Sequence, residues 1–196
     1  MKTYLKYSGL AVQSHRGGSL ESPENTLESF SYSQSIGCKY IETDVQISLD
    51  GIPYIFHDET LTRILKKDIV FSSLHSSEID KLSIFNNHPI PTLEKALNDF
   101  PEMFFQIDVK TDEVAIPALE IIKKCNAVDR VCIASFNSKR LNNVYKNCPE
   151  VCLSMGPIEV FKLLLASFNL YNKDIRGDCL QVPIYQYGFI KIVTQR

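Results

Sequence analysis

The sequence predicts an α/β fold made of repeated strand–helix units around a parallel sheet. Short apolar runs of strand length alternate along the chain with segments whose apolar residues recur at helical spacing. No Gly-x-Gly-x-x-Gly follows the first apolar run, which disfavours a dinucleotide-binding doubly wound sheet. The 196 residues, 44% hydrophobic and 22% charged, are enough for one globular domain with a substantial core. Units of this kind close into a (β/α)8 barrel or form an open sheet, and we treat residues 1–196 as a single domain.

Seven apolar runs have the length and residue preferences of strands. They are Leu10–Ser14, Tyr40–Ser48, Ile52–His57, Met103–Lys110, Arg130–Phe136, Val151–Met155 and Cys179–Pro183. Asp50-Gly51 is a strong hairpin signal, and a two-residue loop there would bring His57 opposite Asp44. The sequence leaves open whether Ile52–His57 is a barrel strand or the arm of a hairpin.

Helical segments lie between these strands. Asn25 is predicted to cap the first helix, with Glu28 three residues later, and Gly37 to stop it. Thr92 is predicted to cap a helix whose apolar residues through Phe100 share one face. Three further helices are predicted at Glu113–Cys125, Ser138–Lys146 and Pro157–Leu170.

The stretch from Asp58 to Pro91 has no clear period. It mixes Ser, Asn and charged residues with scattered apolar residues. A segment of that length without periodicity predicts an insertion over one end of the barrel. His75 and His88 lie in it and are expected at the surface.

Composition and charge exclude several classes of function. The net charge of −2 argues against a nucleic-acid surface, which is usually basic. Met1–Gly9 contains no apolar segment of a secretory signal. The most apolar run, Val160–Leu170, is interrupted by Lys162 and is too short to span a bilayer, so we expect a core helix there. We therefore expect a cytoplasmic protein without stable membrane insertion.

The six cysteines are expected to be reduced in such a compartment. The chain has no Cys-x-x-Cys pair, and Cys148 and Cys152 have no nearby His or Cys partner, so the spacing does not predict a zinc site. Cys132, Cys152 and Cys179 lie inside apolar runs and are expected to behave as small buried hydrophobic residues.

Residues suited to phosphate chemistry follow the first predicted strand. His15 comes after an apolar run and directly before Arg16-Gly17-Gly18. It therefore lies at the C-terminal end of a strand, where barrel enzymes carry their chemistry. The glycine pair lets a ligand approach the backbone closely, and Arg16 offers bidentate donors for phosphate.

Carboxylates lie on the next strands. Glu42 and Asp44 alternate and so project to one face, where they repel each other unless a cation neutralises them. Oxygen ligands of this type suit Mg²⁺ or Ca²⁺ rather than zinc, and a salt-bridged or solvated pair is the alternative. The predicted hairpin would bring His57 beside them. Asp108 and Lys110 share a face of a later strand, as site residues or as a buried ion pair.

Together these motifs resemble the glycerophosphodiester phosphodiesterase family. The resemblance rests on His15-Arg16-Gly17-Gly18, Pro23-Glu24-Asn25-Thr26, Glu42-x-Asp44, Asp50-Gly51 and His57-Asp58, and it extends from about residue 11 to the last residue. It implies a (β/α)8 barrel with a small insertion at about 58–91 that caps the active site. A full barrel usually needs roughly 250 residues. The family's last strand and flanking helices have no counterpart in the sequence, so we expect a barrel truncated at its C-terminus.

The resemblance also implies an activity. This activity is metal-dependent hydrolysis of a small glycerophosphodiester to sn-glycerol 3-phosphate and an alcohol such as choline or ethanolamine. A divalent cation, Mg²⁺ or Ca²⁺, would bind the phosphate and activate a hydroxyl. Asp108 stands where the family has a Glu. The implied site residues are His15 and His57 as the acid–base pair, Glu42, Asp44 and Asp108 as cation ligands, and Arg16 and Lys110 as phosphate contacts.

Two other functions are consistent with the same residues. One is a lysophospholipase D-like phosphodiesterase acting on lipid, which a large apolar patch in the insertion would favour. The other is a barrel that binds phosphodiesters without cleaving them, which the retention of both histidines and all three carboxylates disfavours.

Overall fold

The computed structural model describes residues 1–7, 9–182, 185–186 and 190–191, and its centre is a six-stranded sheet. The strands are β1 (Gln13–Ser14), β2 (Tyr40–Ile47), β3 (Pro53–Ile55), β4 (Ser83–Ile84), β5 (His88–Pro89), β6 (Phe104–Val109), β7 (Val131–Ala134), β8 (Cys152–Leu153), β9 (Tyr185–Gln186) and β10 (Ile190–Lys191). The helices are α1 (Leu27–Ser35), α2 (Thr62–Leu65), α3 (Ser76–Ile79), α4 (Leu93–Asp99), α5 (Asp112–Lys124), α6 (Ser138–Asn147) and α7 (Pro157–Ser167).

The order of the strands confirms the predicted parallel α/β class. β1, β2, β6, β7 and β8 are neighbours in that order and all run parallel. The order follows the chain without reversal, as in a (β/α) barrel, whereas a doubly wound sheet reverses direction at a switch point. The last predicted strand, Cys179–Pro183, is represented by one parallel bridge between Ser154 and Cys179, and Pro183 lies outside the described residues.

Alternation along each strand separates an apolar layer from a polar interior. In β2, Ile41, Val45 and Ile47 pack into the main core together with side chains of α1, α4, α5 and α6. The intervening residues, including Glu42 and Asp44, face the other side of the sheet. The functional groups are therefore held on strands that the helices anchor from behind.

The helix ends follow local capping chemistry, with one correction. The cap of α1 is Thr26 rather than Asn25, because Thr26 and Ser29 bond reciprocally in a capping box. Asn25 instead has a left-handed φ of 57° and turns its amide toward the sheet. Thr92 caps α4 as predicted, by accepting a hydrogen bond from the backbone of Lys95.

The Asp50-Gly51 hairpin forms, and it shows that β3 is the antiparallel arm of a hairpin on β2. Its loop has three residues, because Ser48 bonds to the backbone of both Gly51 and Ile52. The predicted register was therefore wrong by one residue, and the Asp44 carbonyl accepts a hydrogen bond from Phe56 instead of lying opposite His57.

The insertion at 58–91 has a small apolar core of its own. It contains α2, α3 and the β4–β5 hairpin. The core buries Phe56, Phe71 and Ile79 together with residues of the flanking strand. His75 is exposed, as expected, and His88 is partly buried at 3.1 Å from the Glu28 carboxylate. The irregular sequence of this segment thus folds around scattered apolar residues rather than around a helical or strand face.

α7 differs from the expected core helix. Its buried residue is Glu159, whereas Phe161, Leu164 and Phe168 are exposed. The reason is that its first turn packs close to Gly156 and α6, while Val160, Leu163 and Leu165 farther along are only partly buried. None of the helices in the described parts of the chain is long and apolar enough to cross a membrane.

Candidate active site

His15 lies at the mouth of the barrel, in a single 3₁₀ turn directly after β1. Its Nε2 is 3.9 Å from Glu42 Oε2, and its Nδ1 is 3.4 Å from Ser19 Oγ. The ring is 67% exposed, so substrate can reach it. Partial burial and the positive charge of Arg16 lower the pKa of His15, which keeps the imidazole neutral near pH 7.

The backbone of Arg16 is fixed from two sides. Its φ of 51° is left-handed, its amide donates to Glu42 Oε2 at 3.0 Å, and its carbonyl accepts from the Asn25 amide at 2.9 Å. Gly17 has a φ of 78°, and a Cβ there would lie 2.4 Å from Ser29 Oγ. The glycine is therefore required by close packing on α1, and this packing holds His15 and Arg16 against β2.

The Arg16 guanidinium is set among carboxylates. Nη1 donates to both oxygens of Glu24, at 3.1 and 3.2 Å, and Nε lies 3.4 Å from Asp44 Oδ2. Nε is buried and has no hydrogen-bond partner among the described residues. A buried donor without a partner carries a desolvation cost, which a bound anion or a small shift toward Asp44 would remove.

Asp44 and Asp108 are neighbours in the register of β2 and β6, and one ammonium joins them. Lys110 Nζ is 2.7 Å from Asp44 Oδ1 and 2.6 Å from Asp108 Oδ2. Burial alone would lower the pKa of Lys110, but the two carboxylates outweigh it and the pKa is raised. Lys110 is therefore a permanent cation, in the ion pair that the sequence offered as an alternative to a site role.

Asn25 completes the surroundings of Asp44. Its Nδ2 donates to Asp44 Oδ2 at 3.0 Å, and its Oδ1 accepts from Thr43 Oγ1 at 2.8 Å. Both residues are buried beside Asp44. The amide is bonded through both its nitrogen and its oxygen and so fixes the Asp44 carboxylate. The Asn25 side chain is therefore occupied here, and Thr26 caps the helix instead.

Glu42 carries the negative charge that the site neutralises least. Burial, followed by the charge of Asp44, raises the pKa of Glu42 to about 7 despite the hydrogen bond from Arg16. The three carboxylates of Glu42, Asp44 and Asp108 thus share the Lys110 ammonium, because the Arg16 guanidinium is also paired with Glu24. Oxygen donors with surplus negative charge suit Mg²⁺ or Ca²⁺ by chemistry. The ligand oxygens of the three carboxylates do not all lie within 4.8 Å of one another, and Lys110 Nζ lies between Asp44 and Asp108, so a cation would need small side-chain movements.

His57 reaches this site from the insertion side, beyond the end of β3. The Gln46 side chain, two residues after Asp44 on β2, donates to the His57 carbonyl at 3.4 Å. His57 Nδ1 lies 2.6 Å from Asp58 Oδ1. Burial would raise the pKa of Asp58, but the hydrogen bonds and charges of Arg63 and His57 outweigh it and lower the pKa. The carboxylate is therefore ionised and can accept a hydrogen bond from His57 Nδ1–H.

A line of ion pairs connects the two histidine loops. Arg63, on α2, donates from Nε to Asp58 Oδ2 at 2.6 Å and from Nη2 to Glu24. Glu24 in turn holds Arg16. The insertion is therefore tied to the loop that carries His15, and the two halves of the site are positioned together.

The structure gives roles to polar residues that the sequence did not place in the site. Glu24 and Asn25 belong to a recognised motif, and Asp58 follows His57, but neither period nor spacing assigns them a partner. Arg63 carried no sequence signal, because an arginine in an irregular segment is usually solvated. Their partners lie far away in the chain, so only folding brings the groups together.

Comparison with known proteins shows what the chain is similar to. The sequence model of the Glycerophosphoryl diester phosphodiesterase family matches residues 15–152. The probable glycerophosphodiester phosphodiesterase 2 of Mycobacterium tuberculosis is 33% identical over 200 residues, covering 97% of this chain and 75% of that protein. A human lysophospholipase D is 26% identical, covering 87% of this chain and 60% of that protein.

Solved structures support the same comparison at the level of the fold. The Oleispira antarctica phosphodiesterase in complex with the product sn-glycerol-3-phosphate has a TM-score of 0.72 at 27% identity, covering 82% of this chain and 72% of that one. The glycerophosphodiester phosphodiesterase of Agrobacterium tumefaciens has a TM-score of 0.70 at 28% identity, covering 75% of this chain and 67% of that one.

Proposed function

This chain belongs to the glycerophosphoryl diester phosphodiesterase family, a family of TIM-barrel enzymes, and from that premise we propose that it hydrolyses glycerophosphodiesters to sn-glycerol 3-phosphate and an alcohol. The observation that carries the proposal is the convergence of His15, His57 and the carboxylate cluster around Lys110 at one mouth of the sheet. All of these residues lie within the matched segment 15–152. The substrate class comes from the relatives, including the one solved with sn-glycerol-3-phosphate.

The chain's own cations suit the phosphate. Lys110 remains protonated between Asp44 and Asp108, and the Arg16 guanidinium has a buried Nε without a hydrogen-bond partner among the described residues. Both groups lie at the mouth where a phosphodiester would enter. We assign them to hold the two free phosphate oxygens and to offset the charge that builds up there during the reaction.

The histidines divide the proton transfers. His15 is exposed and neutral, so it accepts the proton of the attacking hydroxyl, either water or the neighbouring glycerol hydroxyl. The attacking oxygen bonds to phosphorus while the bond from phosphorus to the alcohol oxygen breaks. His57, protonated on both nitrogens and held through Nδ1–H by the Asp58 carboxylate, gives its Nε2 proton to the departing alcohol and is left neutral. With the glycerol hydroxyl as nucleophile, water then opens the cyclic phosphate, and the net reaction consumes one water in either case.

A divalent cation would be held by Glu42, Asp44 and Asp108. When bound, Mg²⁺ or Ca²⁺ would supply positive charge to the phosphate oxygens and would favour ionisation of a hydroxyl. The raised pKa of Glu42 supports this assignment, because a buried carboxylate beside Asp44 has a surplus of negative charge that a cation relieves.

The insertion favours a small polar substrate over a lipid. Within residues 58–91, all of which are described, Val70 is the only large hydrophobic residue that is clearly exposed. The other large apolar residues form the insertion's own core. The surface that faces the site instead carries the Asp58–Arg63–Glu24 ion pairs. We therefore propose that the insertion caps a small substrate and does not dock on a bilayer, and that residues 1–196 form one domain.

The test is release of sn-glycerol 3-phosphate from glycerophosphocholine, measured first with EDTA and then with added Mg²⁺ or Ca²⁺. We expect release that depends on the cation, and loss of release in Asp44→Asn. Glu94→Gln is the matched control, because Glu94 is a carboxylate on α4 that pairs with Lys124 away from the site. Absence of release from the wild-type chain with every cation and with a panel of head groups would overturn the proposal. Faster cleavage of lysophosphatidylcholine than of glycerophosphocholine would assign the lipid activity instead.

A further inference from the structure

Three cysteines that are far apart in the sequence meet inside the barrel. Cys132 on β7 and Cys152 on β8 are direct neighbours in the sheet register, and the bridge from Ser154 to Cys179 adds the third. Cys132 and Cys179 Sγ are 3.6 Å apart, and all three Sγ atoms lie within 4.8 Å of one another. Among the residues that the structure describes, this is the only group of three His, Cys, Asp or Glu side chains whose ligand atoms come so close.

We propose that Cys132, Cys152 and Cys179 form a binding site for a thiophilic divalent cation, Zn²⁺, separate from the carboxylate site. Zn–S bonds of about 2.3 Å in a tetrahedral arrangement place the sulfur atoms about 3.8 Å apart. The Cys132–Cys179 sulfur separation of 3.6 Å is close to this value and no sulfur pair is more than 4.8 Å apart, so small rotamer changes bring the three atoms into coordination. Mg²⁺ and Ca²⁺ prefer oxygen ligands and would not compete here.

The surroundings select zinc over a monovalent soft ion. Three thiolates with Zn²⁺ have a net charge of −1, whereas three thiolates with Cu⁺ have −2. The thiols pack against the aromatic rings of Tyr4, Tyr40 and Phe104. Because a larger net charge is more costly in apolar surroundings, the lower charge of the zinc complex is favoured.

A cavity of about 240 Å³ gives the cluster an entry path. It is lined by Cys179, Tyr4, Tyr7, Gln13 and Gln181, among others, and it borders the half-buried third cysteine. The cavity leaves room for a water molecule as the fourth ligand, the arrangement typical of zinc sites with three protein ligands.

An amide cluster separates this site from the carboxylates. Gln13 Nε2 donates to Gln106 Oε1 at 3.2 Å, and Gln181 Nε2 donates to Gln13 Oε1 at 3.1 Å. Gln106 lies between Glu42 and Cys132 in the register of neighbouring strands. The thiols are therefore not a part of the phosphate-binding mouth.

Zinc binding would displace the protons of the thiols, so its affinity should rise with pH.

The experiment is a zinc titration of the whole chain in a non-thiol reductant, with excess Mg²⁺ to occupy the carboxylates and a chromophoric chelator as competitor. We expect one tight zinc ion, and a sulfur-to-metal charge-transfer band when Co²⁺ replaces it. Cys132→Ser should weaken zinc binding about 100-fold or more and should remove the band. Cys148→Ser is the matched control, because Cys148 is equally buried but lies outside the cluster, and it should bind as the wild type does.

Two results would overturn the site. One is the absence of tight zinc binding by the wild-type chain, and the other is equal zinc affinity in the wild type and Cys132→Ser. If Cys132→Ser fails to fold, Cys179→Ser replaces it, because Cys179 is only partly buried. A third result would also contradict the proposal. If Co²⁺ in place of zinc gives no sulfur-to-metal charge-transfer band, and if zinc binding is lost in Asp44→Asn, the ion lies at the carboxylates.

Discussion

The two sides of the barrel interior are built on one hydrogen-bonded sheet but differ in chemistry. On β2 and β6, the interior positions carry Glu42, Asp44 and Asp108, which are charged and held by Lys110 and Arg16. On β7 and β8, the matching positions carry Cys132 and Cys152, which are neutral thiols among aromatic rings. Buried charge needs a partner, whereas buried thiols pack as small apolar groups. The comparison teaches that the register of the strands brings side chains of different strands together. The type of side chain then decides whether the group suits a hard or a soft cation.

The largest expected effect is on the charged side. His15→Gln should lower turnover by about 10²- to 10⁴-fold, the usual contribution of a general acid or base. The exposed ring carries little packing, so the urea unfolding midpoint and zinc binding by the thiols should stay unchanged. His75→Gln, another exposed histidine, is the control. Turnover within a few-fold of the wild type would remove His15 from the proton transfer.

Lys110→Met tests whether the charged side depends on its internal cation. The change leaves Asp44 and Asp108 facing each other in a buried site, which should cost about 3–5 kcal/mol of unfolding free energy. Urea unfolding at pH 7 in EDTA measures this. Lys124→Met, which removes an exposed ion pair with Glu94, should have little effect. Equal stability of the two variants would show that Lys110 does not hold the carboxylates together.

The pH dependence of stability should report Glu42. Its folded pKa is raised to about 7, so the folded chain binds the proton more tightly than the unfolded chain does. The stabilisation is present below pH 4.5 and is lost as pH rises to 7, by an amount on the order of 3 kcal/mol. Unfolding free energy measured in EDTA should therefore fall over this range, and should fall less in Glu42→Gln. Identical pH slopes for the two proteins would contradict the raised pKa.

The smallest expected effect is that of Arg63, which touches Asp58 and Glu24 rather than substrate. Arg63→Met should lower kcat by about tenfold, because the Asp58 carboxylate that orients His57 loses its partner. The limb of the pH–rate profile that reports His57 as the general acid should also shift, and a purely structural effect would not cause this shift. Arg176→Met, which removes a surface contact with Asn142, is the control. An unchanged profile would limit Arg63 to a structural link.

Much of the fold, and the residues proposed for the candidate site, could be predicted from the sequence itself. Apolar runs located the five parallel strands that the structure describes, because period and length are local properties of the chain. The motifs around His15, Glu42 and His57 indicated the family before any contact was known, and the family match confirms it. The caps at Thr92 and the stop at Gly37 followed from local backbone chemistry.

Other features were decided only by the tertiary structure. The hairpin register shifted by one residue because Ser48 closed a three-residue loop, and Asn25 left its expected cap because Asp44 needed an amide donor. Arg63 pairs with the carboxylates of Asp58 and Glu24, and three cysteines from different parts of the chain lie close together. The physical reason is common to all of these: each depends on a partner that is distant in the chain, and only the packing of strands and loops sets that distance.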